Sequence, residues 1–172
     1  GHTYFFRARA RDSAGNWGAF GAEEWGQAFT TVLTEPAPVL ITSRKQAAPS
    51  IFPAGRVVSY TLILSNTGTA TASLALRDTF PASMTLVSNT LAVSTGPPPL
   101  ASADAVEWAA PLAPQQEARL TYALTPSVAI PCGLPLTNSA VITGSVLGPI
   151  VRQVAVVRGS VVWLPLTLRD LP

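Results

Sequence analysis

Residues that attack, transfer protons or hold metals need partners at workable spacing, and this chain offers few such sets. His2 is the single histidine in 172 residues, so a Ser/His/Asp triad would have to use it, yet it sits on a predicted strand with no acid positioned beside it. Cys132 is the single cysteine. It lies in Pro131-Cys132-Gly133, where no base or cationic cluster stands near enough to activate a thiol, and the expectation is an inert, partly buried small side chain. One cysteine forms no intrachain disulfide, and one histidine excludes the Cys/His zinc arrangements. Glu23 and Glu24 are adjacent, whereas glycosidase chemistry needs two carboxyls facing each other across a cleft. Asp12, Glu23 and Glu24 are the acids that could converge on calcium, but no acidic ligand series or EF-hand spacing accompanies them. Asp78 reads as a turn residue accepting a bond from backbone N–H two residues on, and Asn138 as a strand-edge amide satisfying loop backbone. No catalytic residue, no metal ligand set and no cofactor is expected.

The remaining candidates form a surface. Alternation along residues 2–10 puts Arg7, Arg9 and Arg11 on one strand face, and Trp17, Phe20 and Trp25 follow in the next loop. Arginines stacked on those rings would gain about 0.5 to 2 kcal/mol per pair, depending on how dry the contact is. Arg7, Arg9, Arg11, Trp17 and Trp25 are therefore the candidate ligand or partner face. The same stack read structurally stiffens the hairpin without binding anything, and that reading is preferred.

The elements that position these residues are strands. Hydrophobic residues make up 48% of the chain and charged residues only 12%, with 16 prolines, a composition suited to short strands and turns around a packed core. A formal charge of +2 gives no support to nucleic-acid binding. The longest apolar stretches, such as residues 160–168, fall well short of the roughly 20 residues a membrane helix requires, so no membrane span is expected. The opening Gly1-His2-Thr3-Tyr4 lacks a leader and reads as the interior of a longer polypeptide. Residues 1–33 read as a hairpin, and Pro36 and Pro38 stiffen a linker over residues 34–38. Strands are then predicted over 39–45, 56–65, 70–77, 90–94, 105–109, 117–125, 137–143 and 150–158. Val58, Tyr60, Leu62 and Leu64 share one face, as do Leu120, Tyr122 and Leu124, and these are the expected core stripes. Thr67-Gly68 is expected to supply a positive φ that folds the second and third of these strands back on each other.

Several motifs occur in a family order: Gly55 with Tyr60, Asn66-Thr67-Gly68, Asp78-Thr79-Phe80-Pro81, Val106-Glu107-Trp108, Leu112-Ala113-Pro114 and Thr137-Asn138-Ser139-Ala140. Over residues 38–158 the chain resembles a repeat domain of bacterial and archaeal surface proteins known as domain of unknown function eleven. Phe80 stands where that family usually has leucine, and Gly96-Pro97-Pro98-Pro99-Leu100 resembles a local loop insertion. Residues 1–33, with Tyr4 at the corner-tyrosine position, resemble the last two strands of a fibronectin type III domain, and the arginines and tryptophans are similar to the ladder of some fibronectin-type receptor domains. Leu164-Pro165-Leu166-Thr167 is similar to a sortase signal, but Leu168 replaces the glycine, which disfavours wall anchoring.

These resemblances imply an all-β protein: an immunoglobulin-like antiparallel β-sandwich over 39–158, preceded by a partial fibronectin type III hairpin and followed by an apolar tail, 159–172, that pairs or docks. The implied role is a noncatalytic spacer or stalk module of an exported bacterial cell-surface protein, extracellular, with neighbouring domains of a longer polypeptide as its partners. The alternative is an adhesion or carbohydrate-binding module that meets cell-envelope glycans or other surface proteins through Trp17, Trp25 or Trp108.

Overall fold

The computed structural model describes residues 2–6, 9, 11–18, 28–32 and 35–159, with segments 2–6 and 28–32 described by backbone alone. The chain divides into two compact units, Gly1–Pro36 and Ala37–Pro172. Among the described residues no helix occurs, and thirteen strands are present. The predicted docking of the tail, the side chains of Arg7, Phe20 and Trp25, and the Glu23–Glu24 pair lie outside the described residues.

In the first unit β1 (His2–Phe6) pairs antiparallel with β2 (Ala28–Val32), Tyr4 opposite Thr30. Beyond β1, Arg11 and Trp17 form an isolated antiparallel bridge. The turn between them is closed by Asp12, whose carboxylate accepts from the backbone of Ala14 at 3.0 Å and of Asn16 at 2.8 Å. Gly15, at φ +94°, supplies the left-handed corner.

The second unit is a two-layer sandwich. One sheet has the order β4 (Ile51–Phe52), β13 (Ile150–Arg158), β12 (Pro135–Thr143), β6 (Ala72–Thr79), β10 (Ala105–Leu112) and β9 (Leu100–Ala101). The other has the order β3 (Arg44–Ala48), β5 (Val58–Ser65), β11 (Glu117–Pro126) and β7 (Met84–Leu86), with β8 (Ala92–Val93) also on β11. Strict alternation builds the core. Val58, Tyr60, Leu62 and Leu64 of β5 face Leu120, Tyr122 and Leu124 of β11 on the inner side of one sheet. Ala72, Leu74 and Leu76 of β6, with Val106, Trp108 and Leu112 of β10, line the other. The all-β sandwich expected from the pattern is the fold observed.

Three expectations are corrected. β5 and β6 do not pair: β5 lies between β3 and β11, β6 between β12 and β10, and the Asn66-Thr67-Gly68 segment carries the chain from one sheet to the other. Gly68 is not among the positive-φ glycines; a Cβ there would come 2.1 Å from the Ala37 carbonyl oxygen and 2.6 Å from the Val39 nitrogen, so its role is close backbone approach. Asn66, fully buried, clamps that approach: its Oδ1 accepts from Val39 and Gly68 N–H, each at 3.1 Å, and its Nδ2 donates to Ala70 and Leu112 carbonyls at 2.8 and 2.9 Å. The predicted first strand, 39–45, is shifted, since β3 begins only at Arg44.

Among the described residues all the strand pairs of this unit are antiparallel except β4 with β13, which run parallel with Ile51 opposite Val157 and Phe52 opposite Arg158. The parallel pair fixes where the chain enters and leaves. Pro38 and Leu40, at the entering end, bond Val146 and Ser145 just before β13, whereas Gly159, just after it, donates to Phe52. The chain therefore enters at one pole of the sandwich and leaves at the other.

Candidate functional site

Three polar side chains occupy inward positions that the alternation would otherwise give to apolar residues. Lys45 sits on β3 between the exposed Arg44 and Gln46. Asp78 continues the inward stripe Ala72, Leu74, Leu76 of β6, and Asn138 lies between Leu136 and Ala140 on the inward stripe of β12. Ala140 is the register partner of Asp78, so Asn138 lies diagonally beside the carboxylate on the adjacent strand. Lys45 comes from the opposite sheet and reaches across the core to both.

The side chains of Lys45 and Asp78 are wholly shielded from solvent, and they form an ion pair through Nζ and Oδ1. Lys45 Nζ also donates to Asn138 Oδ1 at 2.9 Å. Tyr122 closes the circuit: its hydroxyl donates to Asp78 Oδ2 at 2.6 Å and accepts from Asn138 Nδ2 at 2.7 Å. The walls are aromatic. Tyr60 stacks on Tyr122 with centroids 5.3 Å apart and an interplanar angle of 13°, Phe80 tilts against Tyr122 at 5.5 Å, and the Lys45 ammonium stands 5.8 Å from the centre of the Tyr60 ring.

Electrostatics follow from the dryness. Burial pushes the Lys45 amine down to about 8, against the opposing attraction of the Asp78 carboxylate. Burial first, and the nearby Asp78 charge second, push the Tyr60 hydroxyl up to about 12, and the same two causes in the same order raise Tyr122 above the ordinary tyrosine range. An amine whose proton affinity is lowered to about 8 thus lies in contact with a carboxamide and a carboxyl group. The sequence reading of Asp78 as a turn residue and of Asn138 as an edge amide is corrected: both are central, inward and bonded to side chains. Lys45 was not singled out at all. The signal available for all three was the inward register of their strands.

The predicted arginine and tryptophan face is described in part. The Arg9 guanidinium lies 4.5 Å from the centre of the Trp17 ring and that of Arg11 lies 5.6 Å away, while Trp17 is 54% exposed. Arg11 also donates through Nε to the Gly15 carbonyl at 2.8 Å. Arg7 and Trp25 lie outside the described residues. Trp108 is not an exposed platform: it is buried, with its indole N–H donating to the Pro97 carbonyl at 2.9 Å. The 96–100 loop folds over it, and a groove of about 690 Å³ opens beside that loop, between Pro97, Pro98 and Leu100 and the outer face of the sheet at Ala75, Arg77 and Val141. Cys132, expected to be partly buried, is exposed. The Asp12 carboxylate, once a calcium candidate, is engaged by its own turn.

No protein-family model matches the chain, and no curated protein matches it. Solved structures do. The chain is similar to the N-terminal domain of the Streptococcus gordonii adhesin Sgo0707, with TM-score 0.52 and 12% identity over 73% of this chain and 33% of that one. It is similar to BcpA, the major pilin subunit of Bacillus cereus, with TM-score 0.52 and 13% identity over 89% and 47% of the two chains. A third similar structure is the RrgA Jo.In complex, with TM-score 0.52 and 11% identity over 72% and 83%. The likeness is one of fold. The chain spans a third of the adhesin structure and about half of the pilin.

Proposed function

We propose that the chain is a noncatalytic spacer or stalk module of an exported bacterial surface protein, its second unit a member of the repeat family named above and its first the closing hairpin of a fibronectin type III domain. The observation that carries this reading is the path of the backbone. The second unit takes in the chain at one pole and releases it at the other, with its early strand β4 and its last described strand β13 hydrogen-bonded in parallel. A pull on the two ends loads those bonds in shear, where they must break together rather than one at a time. Near the start of β13, at the opposite end from that seam, Arg152 donates to the carbonyls of Ser43, at 2.6 Å, and Ile41, and so ties the same strand to the entering segment. The similarity in fold to adhesin and pilin structures supports an extracellular setting with neighbouring domains as partners.

The second reading, adhesion to glycans or surface proteins, rests on the exposed Trp17 ring flanked by Arg9 and Arg11. One screen separates the two. Presented with an array of glycans and matrix proteins, the spacer shows no saturable binding; saturable binding abolished by Trp17→Ala would replace the spacer with the adhesin.

A further inference from the structure

We propose that Lys45 and Asn138 join through their side chains in an intramolecular amide bond that staples one sheet of the sandwich to the other, formed by the folded protein itself with release of ammonia. The inference stands on the core of the second unit and not on what that unit is attached to.

The reactants are already in contact. Lys45 Nζ lies 2.9 Å from Asn138 Oδ1, so the carboxamide carbon is one bond, about 1.2 Å, further on. Attack needs the amine to swing from the plane of the amide to its face, a rotation about the last bonds of a long side chain. Such proximity replaces an encounter in solution, and the full burial of these side chains shields the carboxamide from bulk water, the competing nucleophile.

The step balances within the four side chains. A proton moves from the Lys45 ammonium to the Asp78 carboxylate, leaving a neutral amine and a carboxylic acid. Nζ then bonds to Cγ of Asn138, and the C–O double bond opens. Asp78 passes its proton to the Tyr122 oxygen while the Tyr122 hydroxyl proton passes to Nδ2, a reversal of the two hydrogen bonds now seen at 2.6 and 2.7 Å. The C–Nδ2 bond breaks, ammonia departs, and the extra proton on Nζ returns to Asp78. One N–C bond forms and one breaks. No oxidant or outside reagent enters. The depressed lysine supports the first transfer, since an amine that gives up its proton near 8 is a nucleophile at ordinary pH.

A purely structural ion pair is the competing reading. It accounts for Lys45 and Asp78 but gives no reason for a carboxamide placed on the amine and linked back to the acid through a hydroxyl. The reaction also removes what is costly about the pair, because a buried ammonium becomes a neutral amide.

The test is the intact mass of the full 172-residue chain under denaturing conditions. The expected value is one ammonia, about 17 Da, below the sequence mass, and proteolysis should yield a single branched peptide joining the segments that hold Lys45 and Asn138. Lys45→Met and Asn138→Ala should each restore the sequence mass. Asp78→Ala should slow the loss by about 100-fold or more, and Tyr122→Phe, which keeps the ring and removes the relay, by about 10-fold or more. Wild-type protein that keeps its full sequence mass after folding and prolonged incubation at pH 8 overturns the proposal, whether or not the variants fold. So does a missing ammonia that maps to a succinimide at an asparagine instead of a branch. A Tyr122→Phe chain reacting at the wild-type rate overturns the relay. None of these results bears on the spacer reading.

Discussion

Replacing Asp78 by leucine leaves the Lys45 ammonium in a dry core without its carboxylate, and a second substitution, Lys45→Met, should then make the protein more stable. The size of this rescue can be worked out. Breaking a buried pair by removing one partner typically costs about 3 to 5 kcal/mol. The lysine can limit the cost by shedding its proton, and at pH 7 that escape costs at most about 4.8 kcal/mol, the gap of roughly 3.5 units below the ordinary lysine value at about 1.36 kcal/mol per unit. Adding Lys45→Met to Asp78→Leu should therefore recover about 3 to 5 kcal/mol at pH 7, because methionine fills similar space and carries no charge. The rescue must fade with pH. Burial holds the folded-state lysine below its ordinary value of 10.5, and loss of Asp78 removes the carboxylate that pulls it back up. The unfolded chain then binds more protons than the folded one from the folded-state value up to 10.5, so the stability of Asp78→Leu rises with pH across that window. Tyr60, Tyr122 and Asn138 also face the amine, but both tyrosines are pushed upward and stay protonated below pH 10. At pH 10 the rescue should fall below about 1 kcal/mol. Urea unfolding of the two variants at pH 7 and pH 10 measures it, with intact mass confirming that neither is cross-linked. A Lys45→Met substitution that leaves Asp78→Leu unchanged, or destabilises it further, at pH 7 would refute the claim that the lysine is held as a charge in a dry core.

Gly68→Ala should lower stability by about 3 kcal/mol and the melting temperature by about 10 °C, since its new methyl would meet the backbone of Ala37 and Val39 with nowhere to move; a thermal scan checks it. Asn66→Ala should cost about 3 to 4 kcal/mol, because two N–H groups and two carbonyls lose their partner together, and hydrogen exchange at the Val39 and Gly68 amides should accelerate.

Those residues also show where the sequence was legible. Val58, Tyr60, Leu62 and Leu64 announce the core because a strand has period two and a half-buried strand must alternate. The same rule covers Leu76-Arg77-Asp78 and Leu136-Thr137-Asn138, and it places both polar residues inside. Local propensity pointed the other way, since aspartate before proline-ended turns and asparagine beside serine are turn formers by habit. The register was the better guide. What no local pattern carries is Lys45 meeting Asn138 from 93 residues away across two sheets, or Asn66-Thr67-Gly68 changing sheets rather than closing a hairpin. Gly68 was expected to supply a positive φ to a hairpin turn, whereas it serves close backbone approach, a role that depends on the segment before β3 lying against it.

The central claim is that the second unit resists tension along its ends through the shear seam of β4 and β13 and through the Lys45 to Asn138 contact between its sheets. Pulling single molecules of the whole chain by its two ends tests both parts. The account predicts a sandwich that yields in one rupture at high force, with an extension shorter than that of the Asn138→Ala chain by the 93 residues between Lys45 and Asn138, roughly 300 to 340 Å. Gradual yielding at low force would contradict the spacer, and equal extensions for the two chains would contradict the bond.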